Sequence, residues 1–153
     1  MNFDGAVFRE DNTAGVGVLI WDDKGLMVVS MAEKIPLPYL IIVVEVLAAI
    51  KALRFASDIS LASFILEGDS KITIDALVWD NMKHAKFGNL IEEAKWLSSW
   101  FVDVSYGHVR RQGNCAAHNT TRHARHVSEY TVWMEAVPSH LSVVIQADLA
   151  SFE

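Results

Sequence analysis

The first 34 residues carry three strand patterns and no helical one, and this limits the fold more than any other feature of the chain. Residues 1–8 (MNFDGAVF) alternate loosely and suit a strand, and Asp11-Asn12 is a turn signal. Residues 14–22 (AGVGVLIWD) suit a second strand in which Gly15 and Gly17 leave one face without side chains. Asp22-Asp23-Lys24-Gly25 reads as a hairpin turn into a third strand over 26–34, after which Pro36 and Pro38 break the pattern. A chain that opens this way commits to a sheet with an antiparallel part.

The period then changes. Val43, Leu47, Ile50 and Leu53 fall at three- and four-residue spacing, which predicts a helix over about 43–56. Residues 62–67 predict a strand, and Asp69 or Ser70 can cap a helix running to about Val78. A helix over 87–99, a strand over 101–108 and a helix over 114–126 follow. Three hairpin-joined strands followed by strand–helix alternation predict an α/β domain with a mixed sheet covered by helices. After Pro138, the apolar stretch Leu141 to Leu149 predicts a last helix packed on the body or on a partner.

Composition excludes several classes. Of 153 residues, 52% are hydrophobic, too many for a disordered chain. A single cysteine, Cys115, excludes a disulfide framework and a cysteine-rich zinc site. No apolar run approaches the ~18 residues of a membrane span. The opening Met1-Asn2-Phe3-Asp4 lacks the layout of a signal peptide, so an intracellular setting is expected, with nucleus and cytoplasm both open.

Charge is distributed unevenly. The net charge is −6, which taken alone argues against a nucleic-acid partner. Yet Val104 to Ser128 contains no Asp or Glu. It holds Arg110, Arg111, Arg122 and Arg125 together with His108, His118, His123 and His126. A local basic patch on an acidic domain can still meet a phosphate backbone, because contacts are local and screening acts over about 8–10 Å. An ordinary solvated helix face is the alternative reading.

Three acids stand in apolar surroundings. Asp4 lies inside a strand pattern, Glu45 in the middle of the otherwise apolar Ile41 to Ala49, and Asp69 at the end of a strand beside Gly68. Lone buried carboxylates are unfavourable unless paired, so three in one domain suggest convergence on a cation, and hard oxygen ligands suit Mg²⁺ or Mn²⁺. Each also has a simpler reading: Asp4 as a turn residue, Glu45 as a flank of the buried face, Asp69 as a helix cap.

Asn2-Phe3-Asp4-Gly5-Ala6, Glu45-Val46-Leu47-Ala48-Ala49, Leu66-Glu67-Gly68-Asp69-Ser70, and His108 followed by Gly113-Asn114 and Ala117-His118 together resemble the ribonuclease H-like superfamily, specifically the plant reverse-transcriptase-like ribonuclease H domains. The resemblance covers about residues 2–127. It implies a domain over 1–127 with a five-stranded mixed sheet in order 3-2-1-4-5 and helices on both faces. It leaves 128–153 as a C-terminal extension, expected to be a helix packed on the domain. It implies a metal-dependent endonuclease that cleaves the RNA strand of RNA–DNA hybrids, with two Mg²⁺ (or Mn²⁺) ions and no membrane role. By similarity Asp4, Glu45 and Asp69 are metal ligands, His118 falls at the fourth ligand position, and His108 aids proton transfer or product release. Gly5 and Ala6 are expected to let backbone groups approach the substrate, and Asn114 to cap the last helix and hold the phosphate region. Arg110 and Arg111 are candidates for phosphate contact on position and charge alone.

Departures from the pattern temper this. His118 stands where well-studied relatives carry an acid, and imidazole is a poor Mg²⁺ ligand, so weaker metal binding and reduced activity are expected. Ile41-Ile42-Val43-Val44 is β-branched where a helix should begin, Thr120 and Thr121 should weaken the last helix, and the first strand starts short, as in a truncated copy. The alternative is a non-catalytic nucleic-acid-binding or interaction domain that keeps the fold.

Overall fold

The computed structural model describes residues 1–79, 85–135 and 142. Its leading strands are β1 (Asn2–Phe8), β2 (Thr13–Trp21) and β3 (Met27–Pro36), joined by a short 3-10 turn (Arg9–Asp11) and the Asp22–Gly25 turn. Helix α1 (Ile41–Asp58), β4 (Ser63–Gly68), α2 (Lys71–Val78), α3 (Gly88–Ser98) and β5 (Asp103–His108) follow. A 3-10 turn (Arg111–Asn114) leads into α4 (Cys115–His123), a second such turn (Ala124–His126) ends it, and β6 (Tyr130–Met134) comes last.

The sheet order is β5-β4-β1-β2-β3-β6. β1, β2 and β3 are antiparallel neighbours, and β4 joins β1 in parallel through Asn2 and Glu67. The expected order 3-2-1-4-5 is present, but the strand count is six. Residues 130–134 (YTVWM), expected within a helical extension, instead pair antiparallel with β3 from Glu33↔Tyr130 to Val29↔Met134. Their β-branched and aromatic side chains suit a pleated surface, and the bond from Lys34 N–H to Glu129 carbonyl starts the ladder. The sheet thus continues past residue 127, and the helix expected at Leu141 to Leu149 lies, apart from Ser142, outside the described residues.

Helix α1 starts two residues earlier than its period suggests. Ile50 and Leu53 of the expected stripe are buried, together with Val44, Val46, Ala48, Ala49, Ala52, Phe55 and Ala56, whereas Val43 and Leu47 are only half-buried. The helix packs against the sheet on one side and α3 on another, and this double burial outweighs the poor propensity of its β-branched first turn. Phe3, Val16, Val18, Met31, Leu53, Leu66 and Leu97 form the core between these layers.

Glycines set the spacing of the layers. A Cβ on Gly5 would stand 2.8 Å from Val44 Cγ1, so Gly5 lets α1 lie close on β1. A Cβ on Gly17 would stand 2.3 Å from Thr121 Oγ1, and one on Gly15 2.6 Å from the Thr121 carbonyl. The bare face of β2 is therefore the seat of α4. That helix is short, nine residues, in line with Thr120 and Thr121 as poor helix formers. Both threonines are fully buried and turn their hydroxyls to the carbonyls of Ala116 and Ala117 at 2.9 and 2.8 Å.

Candidate metal centre and adjoining groove

Asp4 sits on the central strand, on the face opposite Phe3 and Gly5 by the alternation of side chains. It is 1% exposed. Its carbonyl lies 3.1 Å from the Thr121 hydroxyl, which ties α4 to this residue of β1. Glu45 is carried by the second turn of α1, held close by Gly5. Asp69 follows the end of β4. The competing reading of Asp69 as a helix cap is excluded, because the Ser70 hydroxyl accepts the Thr73 N–H of α2 at 3.4 Å and leaves the Asp69 carboxylate to face the other acids.

One carboxylate oxygen from each of Asp4, Glu45 and Asp69 can be chosen so that all three lie within 4.8 Å of one another. The electrostatics follow from that crowding. Burial pushes the Glu45 carboxyl up to about 8, with the Asp4 and Asp69 charges adding to it. Burial likewise raises Asp4 to about 6, opposed by the hydrogen bond from His118. Glu45 Oε2 is buried and has no hydrogen-bond partner among the described residues. An orphaned acceptor beside two further acids fits a divalent cation, which would supply the missing positive charge.

The surrounding residues separate into contacts and supports. His118, from α4, places Nδ1 2.9 Å from Asp4 Oδ2, and its ring borders the adjoining groove. His108, at the end of β5, is exposed, with Nε2 3.3 Å from the Asp69 carbonyl oxygen. Arg111 Nε lies 3.9 Å from Asp69 Oδ2. Arg110 is exposed and does not line the groove, whereas Ala6 does.

Asn114 differs from expectation. Its side chain makes no cap bond to α4; it is 1% exposed, and its amide donates to the Phe3 carbonyl at 3.0 Å. Its Oδ1 accepts from Asn2, which also donates to Glu67 and accepts from the Trp21 indole. The network clamps the turn before α4 to the strand that carries Asp4. Asn2 and Trp21 were missed from the sequence; an amide two residues before a candidate ligand was the available signal.

The groove beside the acids, about 760 Å³, runs between the second half of β1 with its 3-10 turn and α4 with its own. Three of its cationic residues, Arg111, Arg122 and Arg125, come from the acid-free segment, and Arg9 comes from the other wall. Among the described residues no helix is long and apolar enough to cross a membrane.

A family model described as "Reverse transcriptase-like" matches residues 2–124. No curated protein matches the sequence. Among solved structures, the chain is similar to ribonuclease H1 of the halophilic archaeon Halobacterium salinarum, at 28% identity and a TM-score of 0.73, over 82% of this chain and 95% of that one. It shares its fold with the N-terminal ribonuclease H domain of Rv2228c from Mycobacterium tuberculosis, at 23% identity and a TM-score of 0.68, over 80% and 88% of the two chains. It also shares its fold with LC11 ribonuclease H1 from a compost metagenome, solved in complex with an RNA/DNA hybrid, at 21% identity and a TM-score of 0.69, over 80% and 93%.

Proposed function

The chain belongs to the reverse transcriptase-like family, and from that premise we propose that it is a metal-dependent hydrolase that cleaves the RNA strand of RNA–DNA hybrids. The observation that carries this reading is the meeting of Asp4, Glu45 and Asp69, from three separate stretches of chain, within 4.8 Å. The similarity to ribonuclease H1 of Halobacterium salinarum and the hybrid bound to the LC11 enzyme support the substrate class.

Asp4, Glu45 and Asp69 would hold Mg²⁺ or Mn²⁺, two ions by the family resemblance. Bound there, divalent cations lower the pKa of a coordinated water and offset charge on the scissile phosphate. The chain's own residues do the rest. The Asn2–Asn114 clamp and the Thr121 hydroxyl fix Asp4 in position. His108, exposed beside Asp69, is placed to exchange a proton between the site and solvent. Arg111 offers its guanidinium to a phosphate oxygen beside Asp69. His118 adds a ring, and no carboxylate, at Asp4, which reduces the negative charge available to a second ion.

That last contact favours a second reading, a hybrid-binding domain without turnover. One experiment separates the two. A labelled hybrid is incubated with the protein and with Asp69→Asn, in Mg²⁺ and in Mn²⁺. Cleavage of the RNA strand by the unaltered protein alone supports the nuclease. Salt-dependent binding with no cleavage in either metal supports the binding domain, and equal cleavage by both proteins marks a contaminant and overturns the assignment.

A further inference from the structure

The groove is walled by β1 and its 3-10 turn on one side and by α4 and its 3-10 turn on the other, and none of the three clustered acids lines it. Arg125 spans the two walls, bonding Asp11 at 2.6 Å and Glu10 at 2.9 Å, so the acid on the lining, Glu10, shares one guanidinium with Asp11 and is outnumbered by the groove's arginines. Arg9 and Arg122, on opposite walls, are exposed and make no ion pair among the described residues. Arg111 stands at the end nearest Asp69, and His126 is a further exposed polar residue on the lining.

Two further features define what fits. Beyond Asn2, β1 pairs with β2 alone, so the other edge of Ala6–Phe8 has no strand partner among the described residues, and these residues line the groove; the Gly5 N–H is already bonded to the acidic cluster. His118 borders the groove while touching Asp4, and Arg111 borders it while lying 3.9 Å from Asp69, so the groove lies beside the cluster. Unpaired cations along a channel beside a candidate cation site match a chain of regularly spaced anions with polar sugars between them.

We propose that this groove holds the phosphodiester backbone on one flank of the cleaved site, with Arg9 and Arg122 as its phosphate contacts. The proposal rests on the hybrid-binding reading and extends it to a footprint on one side. Fluorescence anisotropy with a labelled RNA–DNA hybrid, in Ca²⁺ to hold the complex without depending on turnover, tests it. Arg9→Ala with Arg122→Ala should lower the slope of log affinity against log salt by about 2, roughly one for each phosphate that is no longer neutralised. Lys24→Ala, outside the groove, should leave the slope unchanged. A hybrid shortened at one end should bind the unaltered protein more weakly than one shortened at the other, and the double variant should no longer distinguish them. An unchanged slope, equal weakening from either end, or equal displacement of the hybrid by polyglutamate overturns the proposal. Because binding is read without cleavage, an inactive protein leaves the groove testable, and a nuclease insensitive to the double variant refutes the groove alone.

Discussion

Replacing Glu45 by Gln should make the metal-free protein more stable at neutral to alkaline pH. Burial and two neighbouring acids raise the Glu45 carboxyl from 4.5 in the unfolded chain to about 8 in the folded one. The folded state therefore binds more protons than the unfolded state between these values, so stability falls as pH rises through the window and the loss is complete above about 8. At roughly 1.4 kcal/mol per pKa unit the full loss is on the order of 5 kcal/mol. Glutamine removes the charge but keeps a buried amide in need of partners, so a net gain of about 2 kcal/mol is expected. For a domain of this size that is a rise in Tm of about 4–8 °C. Thermal unfolding followed by circular dichroism, in chelator, at about pH 8 and about pH 5, checks it, because the carboxyl is already neutral at the lower pH and the gap should close there. Equal melting at about pH 8, or a gap that persists unchanged at about pH 5, would refute the picture of one crowded acidic site.

Four other outcomes follow from the same geometry. Saturating Mn²⁺ should stabilise the unaltered protein at about pH 8 by ~2.7 kcal/mol at a hundredfold excess over Kd, seen as a rise in Tm, and Asp69→Asn should lose most of this gain in the same melting assay. His118→Asp should tighten metal binding, read by calorimetry, because it restores a carboxylate next to Asp4. Gly17→Ala should destabilise by about 1–3 kcal/mol in urea unfolding, since its methyl meets the Thr121 hydroxyl and backbone and α4 must move outward. Asn114→Ala should cost about 2–3 kcal/mol by the same measurement, as it strands the Phe3 carbonyl and the Asn2 amide.

Much of this architecture was legible in the residues. The three leading strands, the helix around Glu45 and the strand ending at Gly68 declare themselves by period and by Gly and Pro punctuation, which are local signals. Asp4, Glu45 and Asp69 stood out because each interrupts an apolar pattern. What stayed hidden depends on contacts between distant stretches. Tyr130 to Met134 has good strand formers, but a five-residue edge strand carries little pattern of its own until β3 is there to pair with it. The seating of Thr121 against Gly17 and Asp4 turns a poor helix residue into a tether, and no helix scale contains that information. Arg9 lies more than a hundred residues from Arg122 in the chain, and only the return of α4 across β2 makes them opposite walls of one groove. Asn114 was expected as a cap from the family resemblance; here its side chain bonds the buried carbonyl of Phe3 instead.

The sixth strand has a practical consequence. The outer rim of β3 would otherwise be a long row of bare peptide groups bordered by apolar side chains, a template on which another unfolded or misregistered chain could build. Tyr130 to Met134 covers half of that row with a segment of its own polypeptide. A version of this protein cut after residue 127 would keep every carboxylate of the metal centre and every arginine of the groove and still be a worse molecule, since it would carry an adhesive margin into every concentrated solution.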